Sequence, residues 1–223
     1  MTARVDVLQL LDGTWGDGTR PRDLFRGPLQ EDPAGYARDI VAGLTGGSRK
    51  VQNGCAELAS LLSEQRPELL YPHLALFVAN LTAKEPVLRW EAVCTIGNLV
   101  ATDGPGATRA SLDTVARHLD DPSIVLQGHA ARALAKMARA FPDLAPAILR
   151  RLIAAAENFP GSRVGYVVEA MEAFAGGALA RQAAAFVAPY AASAINPVAT
   201  KARRALKRLG AAPPRPARAR SGR

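Results

Sequence analysis

The chain has 223 residues, of which 48% are apolar and 22% charged, and its mean hydropathy is zero. That is enough apolar matter for a sizeable buried core, which excludes a fully disordered chain, and no apolar run approaches the ~18 residues a membrane-spanning helix needs. The net charge of +8 is local: residues 201–223 hold nine Lys/Arg and no acid, leaving 19 basic against 20 acidic groups elsewhere.

The first 31 residues read as a flexible leader. Its apolar patch, Val5 to Leu11, is short and carries Asp6, so no secretory signal is read, and a reducing cytoplasm is the expected compartment. Trp15 sits in a glycine-rich stretch of this leader. Cys55 and Cys94 form neither a CxxC pair nor a cluster with histidine at zinc spacing, so neither disulfide nor metal is indicated, and no cofactor is expected.

From residue 32 to 210 the chain reads as helices in pairs. Apolar spacing predicts a first set at about 33–45, 68–82, 107–119, 143–157 and 178–193. Pro72, Pro146 and Pro189 fall inside or near the start of three of these, where a bend or a delayed start is expected.

Between them lies a second set that repeats. Cys55, Ala92, Ala130, Val167 and Ala202 stand in register at offsets of 37, 38, 37 and 35. Ala59, Ile96, Leu134, Met171 and Leu206 follow the same offsets, as do Leu62, Leu99, Met137, Phe174 and Leu209. Within each repeat the three columns sit at i, i+4 and i+7, one face of a helix. Pro86, Pro122, Pro160 and Pro197 recur just ahead of the stripe, as first-turn prolines do, with Ser48, Asp121 and Asn196 as expected caps. The expected architecture is all-α: a right-handed α-solenoid of about five antiparallel helix pairs, each burying its stripe only against its neighbours. Residues 211–223, rich in Pro and Arg without large apolar side chains, read as a disordered basic tail.

The segment DPSIVLQGHAARALAKMA, Asp121–Ala138, resembles the HEAT repeat of the armadillo-type solenoids, whose pattern runs Asp-Pro, Val-Arg, then Ala-Ala-x-Ala-Leu. The stretches SRKVQNGCAELASLLSEQRPELLYP and VLRWEAVCTIGNLV are similar to small bacterial HEAT-like repeat proteins. One departure stands out. The family's inward arginine is replaced by Gln52, Gln127, Val164 and Ala199, and only Arg89 keeps it, so Ala and Leu packing is expected to carry the stacking.

In such a solenoid the second helices line a concave face where partners bind, and positions just off the apolar stripe should point there. These are Asn53, Glu57, Trp90, Glu91, Asn98, His129, Arg132, Lys136, Tyr166 and Glu169. Trp90, Cys94 and Asn98 fall at i, i+4 and i+8, which puts the indole on an interaction strip. His73, His118 and His129 lie on separate helices with no nucleophile or acid at catalytic spacing, and the turn Asp103–Gly106 has no P-loop lysine, so no catalytic residue is assigned.

The reading is a non-enzymatic scaffold for an unidentified protein partner. An alternative is nucleic-acid binding through Lys201, Arg203, Arg204, Lys207 and Arg208 of the last helix together with the tail. Trp90 beside Glu91 also resembles, faintly, the HEAT-like alkylpurine DNA glycosylases, which implies a carboxylate in a basic groove with exposed tryptophans.

Overall fold

The computed structural model describes residues 6–13, 21, 22 and 28–211. Trp15 and the tail beyond residue 211 lie outside the described residues. The chain divides into two compact units, Met1–Val115 and Ala116–Arg223. Among the described residues there is no strand, and no helix is long and apolar enough to cross a membrane.

Unit 1 begins with a short helix, α1 (Val7–Gly13), and a single turn, α2 (Pro28–Glu31). Part of the stretch assigned by sequence to a leader is thus helical, and it packs: Val7 and Leu11 are buried where α1 lies on α3 (Pro33–Gly46) and α4 (Arg49–Gln65). The approach is close because of Gly43. A Cβ there would collide with Cys55 Sγ and stand 2.8 Å from Leu8 Cδ2. Asp32 caps α3 through the Gly35 N–H, and Ser48 caps α4 through the Val51 N–H, as its position before the stripe predicts.

The next pair consists of α5 (Pro67–Leu70), a 3₁₀ turn at Tyr71–His73, α6 (Leu74–Asn80) and α7 (Pro86–Leu99). Pro72 sits in that 3₁₀ turn, which divides the helix expected at 68–82. Pro86 opens α7, where its missing N–H costs no hydrogen bond. The second helices α4 and α7 stack directly on each other, and α6 covers α7.

The boundary between units falls in α8 (Leu112–Arg117), which is flanked by 3₁₀ turns at Ala107–Ser111 and His118–Asp120. Unit 2 continues with α9 (Ile124–Ala140), α10 (Ala145–Ala155), α11 (Val164–Ala170), α12 (Ala180–Val187) and α13 (Asn196–Arg208). Here α9, α11 and α13 are the second helices, and α11 packs on both of the others. Pro146 falls in the first turn of α10, and Pro189 in the 3₁₀ turn Ala188–Ala192 that follows α12.

Two caps differ from the sequence expectation. Ser123, not Asp121, caps α9 by accepting from the Leu126 N–H, while Asp121 Oδ1 accepts from the Ser123 N–H at 2.8 Å and so braces the capping residue. Asn196 is the first residue of α13, whose flanking residue Ile195 makes no side-chain cap.

The three repeating columns are the core. No member exceeds 8% exposure, and most of the fifteen are at or near zero. Burial raises the Cys55 thiol to about 12, with Asp39 adding to the effect, so this cysteine is an inert small hydrophobe. Arg89, the one retained arginine, spends its Nη1 donors on the Ala83 and Lys84 carbonyls at 2.8 and 3.0 Å, closing the turn before its own helix.

Candidate functional site

In unit 1 the strip beside the core stripe is less open than its spacing implies. Asn98 is only 7% exposed, and its Nδ2 donates to Ser63 Oγ at 2.8 Å and to the Ser60 carbonyl at 3.3 Å. The cause is the stacking of α7 on α4: a position one step off the stripe still faces the neighbouring second helix. Asn98 therefore ties α7 to α4 instead of standing in an open face. Trp90 and Cys94, earlier on the same strip, are half-buried.

Glu57 of α4 and Glu91 of α7 come together on that side. Glu91 is 8% exposed, and burial pushes its carboxyl up to about 7. A hydrogen bond from the Ser60 hydroxyl opposes that rise, the Glu57 charge adds to it, and Arg22 and the Trp90 indole N–H oppose it. Arg22 reaches in from the stretch before the first repeat: its Nε donates to Glu57 Oε1 at 2.5 Å, and its Nη2 lies 4.0 Å from Glu91 Oε1. The Glu57 hydrogen bond is the main reason the Arg22 guanidinium holds its proton more tightly than usual. Asn53, one turn before Glu57 on α4, is half-buried, and its Oδ1 has no hydrogen-bond partner among the described residues.

Unit 2 carries a different arrangement. Tyr166 of α11 packs on Gly128 of α9, with Arg132 Cζ 5.5 Å and Lys201 Nζ 5.3 Å from the ring centroid. Both cations use the electron-rich ring face. Lys201 also donates to Glu169 Oε2 at 2.8 Å, and Arg204 reaches Glu169 Oε1 at 3.2 Å and Glu172 Oε1 at 2.8 Å. Arg208 lies 3.0 Å from Glu172 Oε2. Burial alone would raise the Glu169 carboxyl, but Lys201, with Arg132 and Arg204, holds it below the usual carboxylate range. His129 is half-buried, whereas Arg132 and Lys136 are exposed.

Of the five cations on the last helix, Lys201, Arg204 and Arg208 are therefore committed to Glu169 and Glu172. Arg203 and Lys207 are exposed and have no acidic partner among the described residues. Among the described residues no three or more His, Cys, Asp and Glu gather as metal ligands would.

Sequence reasoning missed Arg22, Ser60, Glu172 and Asp103. A signal for the first three is present in the numbering. Many polar contacts join residues one repeat apart: Arg22 with Glu57 and Ser63 with Asn98 at 35, Arg49 with Glu85 at 36, Ser60 with Asn98 at 38, Glu169 with Arg204 at 35 and Glu172 with Arg208 at 36. The period that aligns the apolar columns also aligns polar partners across stacked helices.

Comparison with solved structures fits this geometry. An engineered protein superposes with a TM-score of 0.68 at 20% identity, covering 92% of this chain and 98% of its own. A designed armadillo repeat protein gives 0.67 at 18% identity, covering 91% and 98%. The fold is an armadillo/HEAT-type repeat solenoid. Another designed armadillo repeat protein, solved in complex with the peptide (KR)4, gives 0.65 at 17% identity over 91% of this chain and 98% of that one. No protein-family model and no curated protein sequence matches the chain.

Proposed function

We propose that the protein is a non-enzymatic interaction module that holds a protein partner against the second helices of its repeats. The observation that carries this reading is Trp90. Its indole is half-buried beside the acidic residues Glu57 and Glu91, which leaves part of a large aromatic surface open to a partner. Large aromatics dominate binding energy at protein interfaces. The solenoid fold supports the reading too, since one neighbour of this fold is solved with a basic peptide. In unit 2 the exposed Arg132 and Lys136, with Tyr166 and Glu169, offer further polar contacts along α9 and α11.

The test compares the intact chain with Trp90→Ala in capture of partners from source-cell extract, alongside thermal melting of both. The expected outcome is a complex weakened by about 1–3 kcal/mol with an unchanged melting curve. Equal loss of stability and of capture would make Trp90 a packing residue and overturn the assignment.

One observation favours a second reading, nucleic-acid binding: Arg203 and Lys207 remain exposed and unmatched by acid among the described residues. Two phosphate contacts would steepen the salt dependence of binding by about two units of log–log slope. On this reading, Arg203→Ala with Lys207→Ala lowers affinity for DNA or RNA and flattens that slope. An intact chain that binds neither at physiological salt eliminates it.

A further inference from the structure

Two carboxylates from stacked helices, Glu57 of α4 and Glu91 of α7, converge on one guanidinium, and that guanidinium belongs to the chain itself. Arg22 stands 35 positions before Glu57, with Nε at 2.5 Å from Glu57 Oε1 and Nη2 at 4.0 Å from Glu91 Oε1. The planar, five-donor guanidinium suits acceptors spread over two helices in a way that the single point charge of a lysine does not. A further acceptor stands close by: Asn53 Oδ1, one turn before Glu57 on the same strip, is buried and has no donor among the described residues.

Arg22 is also weakly held. Its side chain is 38% exposed, and an ion pair of that exposure contributes no more than about 1 kcal/mol, so it can exchange. We propose that Glu57 and Glu91 form a guanidinium-binding subsite on unit 1, that Arg22 fills it in cis, and that an arginine-bearing segment of a protein partner binds by displacing Arg22. This rests on the partner being a protein, as proposed above. Because the competing arginine is tethered, its effective concentration is on the order of millimolar, which keeps the subsite closed to weak ligands.

The experiment uses the full chain and a fluorescein-labelled peptide with the sequence of residues 18–26, GTRPRDLFR, followed by fluorescence anisotropy at low salt. Wild type binds the peptide poorly. Arg22→Ala tightens binding by up to about fivefold, the factor that a competitor held by about 1 kcal/mol can impose. Adding Glu57→Gln and Glu91→Gln to Arg22→Ala returns the affinity to the wild-type level, and a peptide with lysine in place of its arginines binds the Arg22→Ala protein more weakly. Arg22→Gln, which keeps much of the stem, replaces Arg22→Ala if melting shows the latter to be misfolded. The subsite is refuted if loss of Arg22 leaves peptide affinity unchanged, or if the two glutamines leave it high. Capture that depends on Trp90 with no peptide response refutes the subsite alone, whereas capture independent of Trp90 refutes the reading it rests on.

Discussion

The ring of Tyr166 packs on Gly128, one repeat earlier: a Cβ at Gly128 would stand 3.0 Å from Tyr166 Cε1 and 3.1 Å from Cζ. Alanine is the better helix former by about 1 kcal/mol, so on propensity alone Gly128→Ala should stabilise α9. The ring opposes that gain because Arg132 and Lys201 also stand over it, 5.5 and 5.3 Å from its centroid, and hinder its retreat. Gly128→Ala is expected to cost about 1–2 kcal/mol in urea denaturation. In a Tyr166→Ala background the same change should become stabilising, and a sign that stays the same in both backgrounds would dissociate the two residues.

Asp103 organises the loop after α7. Its Oδ1 accepts from the Tyr71 hydroxyl at 2.5 Å and the Ala107 N–H at 2.8 Å, while Oδ2 accepts from the Thr108 N–H at 2.7 Å and hydroxyl at 2.5 Å. Burial raises this carboxyl, but the bonds from Thr108 and Tyr71 and the two backbone N–H groups outweigh it and leave it below the usual range. Asp103→Ala is expected to cost roughly 2–4 kcal/mol at neutral pH, since it strands buried donors. The lowered carboxyl contributes stability above its unfolded value, and that contribution disappears as pH falls through the folded one. Denaturation of Asp103→Ala should therefore show a shallower acid limb than wild type.

The repeat was legible because burial at a fixed period writes itself into residue type: Ala59, Ile96, Leu134, Met171 and Leu206 are apolar and all within 1% of full burial. Pro86 and Pro197 were legible for a similar reason, since a missing N–H is tolerated in the first helical turn. Pro122 precedes the Ser123 cap and Pro160 is extended ahead of the 3₁₀ turn Gly161–Arg163, so neither is the first-turn proline the spacing predicts. Polar positions carried less information. Asn98 and Glu91 are as polar as solvent-facing residues, and only the depth of the α4–α7 contact makes one a strut and the other a buried acid. Asp103 read as a plain turn because its partners Tyr71 and Thr108 are ordinary residues that only the fold gathers. Arg22 was hidden by its setting, a glycine-rich stretch with no apolar period to fix its register.

Glu172 anchors a ladder of charge in unit 2. Its side chain is 6% exposed and faces Arg204 at 2.8 Å and Arg208 at 3.0 Å, while Glu169 holds Lys201 at 2.8 Å. The arginines themselves are largely exposed, so the network is open to screening. Replacing Glu169 and Glu172 together by glutamine is expected to cost about 1–2 kcal/mol at low salt. The difference from wild type should shrink as salt rises to about 1 M, where the Debye length falls to about 3 Å. A penalty independent of salt would assign the loss to packing.

Glu91 predicts a pH dependence of the opposite sense to Asp103. Burial lifts its carboxyl from 4.5 to about 7, so between these values the folded chain binds more protons than the unfolded one. Stability must therefore fall as pH rises through that window, by on the order of 3 kcal/mol at most. Glu57 strengthens the effect, whereas Arg22 moderates it by favouring the charged form. Glu91→Gln, which is neutral at every pH, is expected to match wild type near pH 4.5 and exceed it above about pH 7, with the slope between them flattened. Urea denaturation at half-unit pH steps reads this directly, and a slope that persists in Glu91→Gln would place its source elsewhere.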